Sequence, residues 1–165
     1  MILGMTLAAF TTLHVVISLI AIAAGFLALF GLLAASRLPL LNALFLVLTA
    51  LTSITGFFFP FKGVTPGIVV GILSMIVLAI AAAARYIGHM SGVWRGTYVI
   101  SAALALYFNV FVLIVQLFEK VPALHALAPT QTEGPFKIAQ LVTLLLFIAL
   151  TVLAFRRYHP RPATA

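Results

Sequence analysis

The sequence predicts an all-α integral membrane protein, a single helical bundle of five transmembrane helices with its amino terminus outside and its carboxyl terminus inside. Three observations predict it. Hydrophobic residues make up 65% of the chain and charged residues 7%, with a mean hydropathy of +1.31, which leaves too little polar surface to clothe a soluble domain. The apolar residues gather into five runs, each long enough to cross a hydrocarbon layer of about 30 Å as a helix. The charges sit in the turns and chain ends between these runs, and they sort by type. Residues 1–165 therefore read as one transmembrane domain, with connections too short to hold a separate core.

The first run covers residues 6 to 35 and would be about 45 Å long as a helix, so it must tilt or protrude. No Lys or Arg precedes Arg37, so the basic segment that opens a signal peptide is missing and the helix is expected to be retained. His14, Ser18, Ala21, Gly25 and Ala28 recur at spacings of three and four, the pattern that lets membrane helices approach closely, and this face should look inward. After the turn SRLP, the second helix covers about 40 to 59, and Pro60 is placed to end it. Asn42, Thr49, Ser53, Gly56 and Pro60 lie within about 40° of one line along it.

Thr65 before Pro66 reads as an N-cap with proline in the first helical position, opening a third helix over about 66 to 85. Its Gly67, Gly71, Ser74, Leu78 and Ala81 form a packing seam. The link YIGHMSGVWRG brings aromatic and basic residues together where a helix leaves the bilayer, with His89 as a solvated loop residue. The fourth helix is expected over about 97 to 119 and the fifth over about 135 to 155, ahead of the basic tail RRYHPRP.

Five spans put Arg37, Arg85, Arg95, Arg156, Arg157 and Arg161 on one side, and Lys62, Lys120 and Lys137 with both acids, Glu119 and Glu133, on the other. The excess of cations on the arginine side makes that side cytoplasmic. The loop 119 to 136 then faces outward. No internal repeat is visible, and an odd helix count argues against a simple inverted-repeat transporter.

With this topology the polar residues cluster by depth. Tyr98, Asn109, Gln116 and Lys120 fall within roughly 20° of one line along the fourth helix. His14 and Ser18 begin the first helix, Ser53 ends the second, and Gln140 begins the fifth, all toward the outer leaflet. An amide in hydrocarbon needs a partner, because an unsatisfied one costs several kcal/mol. The expected candidate site is therefore an outer polar pocket of Asn109, Gln116, Lys120, Gln140, His14, Ser18 and Ser53, closed by a Lys120–Glu133 ion pair as a lid. Interhelical hydrogen bonding without further function is the competing reading, at about 0.6 kcal/mol per bond.

Other chemistry finds less support. Cysteine is absent, so thiolate metal sites and disulfides are excluded, and metal ligands could come only from four His, two acids and four Met. No metal site and no cofactor are predicted. A haem or quinone held by His14 is the alternative, but His125 lies in a loop between Pro122 and Pro129, and His89 and His159 belong to the opposite side. No nucleophile elbow, HExxH or aspartate is present, so no catalytic residue is assigned and the chain reads as a non-enzyme. Nucleic acid is excluded as a partner because the net charge of +7 is spread over separate turns and ends.

The segments GFFFPFKGVTPG and YFNVFVLIVQLFEKVPALHALAPTQTEGPF, with the span that follows, make the chain resemble a group of small bacterial inner-membrane proteins described as hypothetical. That resemblance implies a multi-pass location in the bacterial inner membrane and brings no activity, cofactor or site residue. Two functions are expected from the residues themselves. In the first the bundle binds or conducts a small polar or anionic solute at the outer pocket. In the second it is an accessory or assembly subunit that docks on a membrane-protein partner, or on a second copy, through seams such as Gly67/Gly71.

Overall fold

The computed structural model describes residues 1–36, 38–60, 63 and 66–159. Six helices run through them: α1 (Leu7–Leu33), α2 (Pro39–Phe57), α3 (Pro66–Ala82), α4 (Val93–Lys120), the short α5 (Pro122–Leu127) and α6 (Gly134–Arg157). All but α5 belong to five spans long and apolar enough to cross a membrane, with α3 continued through a π-helical turn at Ala83–Ile87. The protein is an all-helical multi-pass membrane bundle, with apolar outer surfaces suited to lipid.

Local chemistry accounts for the helix ends. Thr6 caps α1 by accepting the Ala9 N–H at 3.2 Å, and the chain leaves the helix through Ala35, whose φ of 53° no helix tolerates. Pro39 supplies a preset φ to the first turn of α2. The expected cap of α3, Thr65, lies outside the described residues. Pro122 forbids helix at the residue before it, so α4 stops at Lys120, Val121 is extended, and the proline itself opens α5.

Two boundaries differ from the sequence reading. The fourth span begins at Val93 and not near residue 97, because Gly92 in the left-handed region turns the chain directly into α4. The loop 119 to 136 is not wholly irregular, since α5 fills its first half and packs back on α4, where the His125 ring nitrogen Nδ1 lies 3.3 Å from the Phe118 carbonyl.

Packing centres on α4, which touches each of the other helices. The inward face expected for α1 is confirmed in its deeper half, where Ala21, Gly25 and Ala28 are buried. A Cβ on Gly25 would lie 2.6 Å from Leu106 and 2.8 Å from Phe45, both core side chains, so only glycine admits this approach of α1 to α2 and α4. The face expected for α2 is confirmed by the burial of Asn42, Thr49 and Ser53. The α3 seam is used within the bundle: Ser74, Leu78 and Ala81 are buried, and the ring of Phe57 from α2 fills the notch at Gly71, 2.9 Å from where a Cβ would stand. Gly71 is therefore not an open docking notch, although Gly67 is exposed. Tyr107, Phe147 and Phe26 join α4, α6 and α1 through an edge-on ring contact at 5.7 Å and a tilted one at 6.0 Å.

Candidate functional site

Polar side chains in this bundle meet across helix pairs, and each meeting has its own interface. Between α1 and α2, His14 Nδ1 lies 2.8 Å from the Thr55 hydroxyl, and the His14 ring stands edge-on to Phe59 at 5.2 Å. Between α2 and α4, Asn109 donates to the Thr49 hydroxyl at 3.1 Å, and the Tyr98 hydroxyl donates to Asn42 Oδ1 at 2.7 Å. Asn42 in turn donates to its own helix, at the Leu38 carbonyl, at 2.7 Å. Between α4 and α6, Gln140 donates to the Phe111 carbonyl at 3.2 Å, while its Oε1 is buried with no partner among the described residues. These contacts satisfy most of the amide and hydroxyl groups that hydrocarbon would otherwise penalise.

The expected outer pocket thus resolves into separate contacts. His14, Asn109 and Gln140 are engaged at three different interfaces. Ser18 turns back to the His14 carbonyl at 2.7 Å, and Ser53 is buried on the inward face of α2. The α4 stripe divides: Tyr98 and Asn109 bond to α2, whereas Gln116 and Lys120 are exposed.

The expected Lys120–Glu133 lid is not formed. Lys120 pairs instead with the adjacent Glu119 at 2.8 Å, with both side chains well exposed (67% and 47%), a contact worth at most about 1 kcal/mol. Glu133 closes its own turn: its Oε1 accepts the Thr130 hydroxyl at 2.8 Å and the Thr130 N–H at 3.2 Å, and its Oε2 accepts the Thr132 N–H at 3.0 Å. Desolvation pulls the Glu133 carboxyl upward, but these hydrogen bonds to the ionised form outweigh it and hold the group below its ordinary value. The same turn is tied to α4 by Gln131, which donates to the Val115 carbonyl at 3.1 Å.

The groups that converge most densely lie at the arginine end, where the sequence reading placed only interfacial anchors. The Arg85 guanidinium sits 5.5 Å from the Tyr98 ring and 5.7 Å from the Tyr86 ring, and its Nη1 is 3.8 Å from Met90 Sδ. The Tyr158 hydroxyl reaches the same sulfur at 3.8 Å. Arg95 donates from Nη1 to the Phe155 and Tyr158 carbonyls at 2.9 and 2.6 Å and stacks on Phe155 at 5.1 Å. Asn42, the hydrogen-bond partner of Tyr98, also lines a cavity of about 10 Å³ with Gly25, Phe45, Ala103 and Leu106, room on the scale of a single water molecule.

Asn42 and Tyr98 each stood out in the sequence as members of a polar stripe. Arg85 and Met90 did not, because their placement depends on the π turn and on left-handed backbone at His89 and Met90 (φ 49° and 52°). Among the described residues no three His or acidic side chains come together around a metal-sized space.

Fold and contacts define a class, the small polytopic helical membrane bundle with a polar interior seam. No family model, curated protein or solved structure matches the chain.

Proposed function

We propose that the protein binds or conducts a small polar solute inside the membrane and performs no catalysis of its own. One observation carries this reading: α2 presents a buried line of polar side chains, Asn42, Thr49 and Ser53, the first two hydrogen-bonded to α4. From Asn42 to Ser53 the line rises about 16 Å, about half of a hydrocarbon core of about 30 Å. Polar residues at such depth are expensive in lipid and mark solute paths more often than chance. The buried, unpartnered Gln140 Oε1 adds an acceptor at the neighbouring α4–α6 interface. The arginine excess, with the resemblance noted above, supports a place in the bacterial inner membrane with the arginine end cytoplasmic.

Proteoliposomes test the solute reading with glycerol and nitrate as probes. Uptake faster than in empty liposomes, returning to the empty-liposome rate in Asn109→Leu protein that still folds, is expected. Equal rates for wild type, variant and empty liposomes overturn it. Orientation is checked by reporter fusions: a phosphatase joined after Thr132 is active and one joined after Ala165 silent, and the reverse pattern inverts the assignment.

A further inference from the structure

Among the described residues, Arg85, Arg95, Arg156 and Arg157 belong to one end of the bundle and Lys120 and Lys137 to the other, and both acids accompany the lysines. Among the described residues no carboxylate comes within ion-pair distance of Arg85 or Arg95. Glu119 stands on the same helix as Tyr98, the ring that Arg85 covers, but 21 positions along it, a rise of about 31 Å. Arg85 is partly buried, and its neighbours among the described residues are two aromatic faces, a phenol and a thioether, none of them an anion. The planar fork of donors of a guanidinium matches two oxygens of a phosphate.

The fold fixes this cation rather than leaving it on a flexible tether. The π turn at Ala83–Ile87 carries Arg85 onto the face of Tyr98. Tyr98 is itself held by Asn42, and Met90 is held between Arg85 and Tyr158. Arg95 clasps the end of α6 by two carbonyls and so positions Tyr158. Arg156 and Arg157, exposed at the last turn of α6, add positive potential at the same end.

We propose that Arg85, stacked on Tyr98 and Tyr86, is the centre of a phosphate-binding site at the arginine end, occupied by the phosphate of an anionic lipid headgroup or by free phosphate. Tyr98 joins this site to Asn42 at one end of the α2 polar line, but the tests act on different residues, Arg85 here and Asn109 there, so the failure of one reading is distinguishable from the failure of the other.

The test uses the full chain in maltoside micelles. In one arm, equal amounts of phosphatidylglycerol and phosphate-free galactosyl diacylglycerol are supplied, and retained lipid is counted by native mass spectrometry. In the other, no lipid is added and inorganic phosphate is titrated against chloride at equal ionic strength while the melting temperature is read. Preferential retention of phosphatidylglycerol identifies a headgroup site, and a phosphate-specific rise in melting temperature identifies a site for the free ion; either supports the proposal. Arg85→Gln is expected to weaken the response about tenfold, the loss of one charge-assisted hydrogen-bond pair, and Arg85→Lys to weaken it less. Arg156→Gln is expected to leave it nearly unchanged.

Equal losses in Arg85→Gln and Arg156→Gln would show a diffuse positive field and overturn the proposal. If Arg85→Gln fails to fold, Arg85→Lys beside Arg156→Gln makes the same comparison. A wild type that responds in neither arm overturns it outright.

Discussion

The two ends of the bundle use their polar side chains in different ways. At the lysine end the charged groups bond to near neighbours in sequence: Lys120 to Glu119, and Glu133 to Thr130 and Thr132. At the arginine end the bonds span the chain. Tyr98 reaches Asn42, Arg95 reaches Phe155 and Tyr158, and Tyr158 reaches Met90. Local pairs finish turns, whereas distant pairs hold helices in register. The difference teaches that a cluster of polar residues on one side of a membrane does not by itself make a pocket; their neighbours in sequence can satisfy them first.

The largest expected effect belongs to the arginine end. Tyr98→Phe leaves the buried Asn42 carbonyl oxygen without its donor and should destabilise the bundle by about 1–3 kcal/mol in mixed-micelle unfolding. A loss below about 0.5 kcal/mol, the range of an ordinary surface change, would break the contrast between the two ends. Midway along the bundle, a double-mutant cycle on Thr49→Val and Asn109→Leu should give a coupling near 0.6 kcal/mol, typical of an interhelical hydrogen bond in lipid.

Gln140→Leu should change stability by less than about 0.5 kcal/mol, because it removes one hydrogen bond together with an unpartnered buried acceptor. If solute uptake is lost while stability holds, the glutamine serves the path and not the packing.

The smallest effect is at Glu133 and is visible only through pH. Its folded carboxyl lies below the ordinary value of 4.5, so its hydrogen bonds contribute fully above that pH and are lost as the pH falls through the lowered value. Hydrogen exchange at Thr130 and Thr132 should be flat from pH 6 to 8 after correction for intrinsic rates, and should lose protection in acid. Glu133→Gln should remove the acid step. A Glu133→Gln protein with the wild-type acid profile would assign that transition to another group.

The spans were legible because hydrocarbon imposes one requirement on every residue of a run, and length with apolarity answers it. The inward faces of α1 and α2 were legible for a related reason: Gly25, Ala28, Thr49 and Ser53 fall on the correct side by counting about 100° per residue. That counting fails in two places. The π turn resets the phase at Ala83–Ile87, so the direction of Arg85 cannot be read from Gly67 or Ser74. A stripe on α4 also says nothing of which neighbour lies beside each of its members: Tyr98 and Asn109 bond to α2, and Gln116 is exposed. The Lys120–Glu133 pair failed for a third reason. Charge complementarity suggested it, but Thr130 and Thr132 are closer to Glu133 along the chain and form its turn at lower entropic cost.

The clasp of Arg95 on α6 bears on how the protein is made. The last carbonyls of a helix have no partners within it, and at Phe155 and Tyr158 those partners come from a side chain on α4, synthesised some sixty residues earlier. The final turn of α6 is therefore completed by its docking on α4. A nascent chain that stops before Phe155 would leave Arg95 without either carbonyl, so this latch between α4 and α6 forms only once α6 has been synthesised.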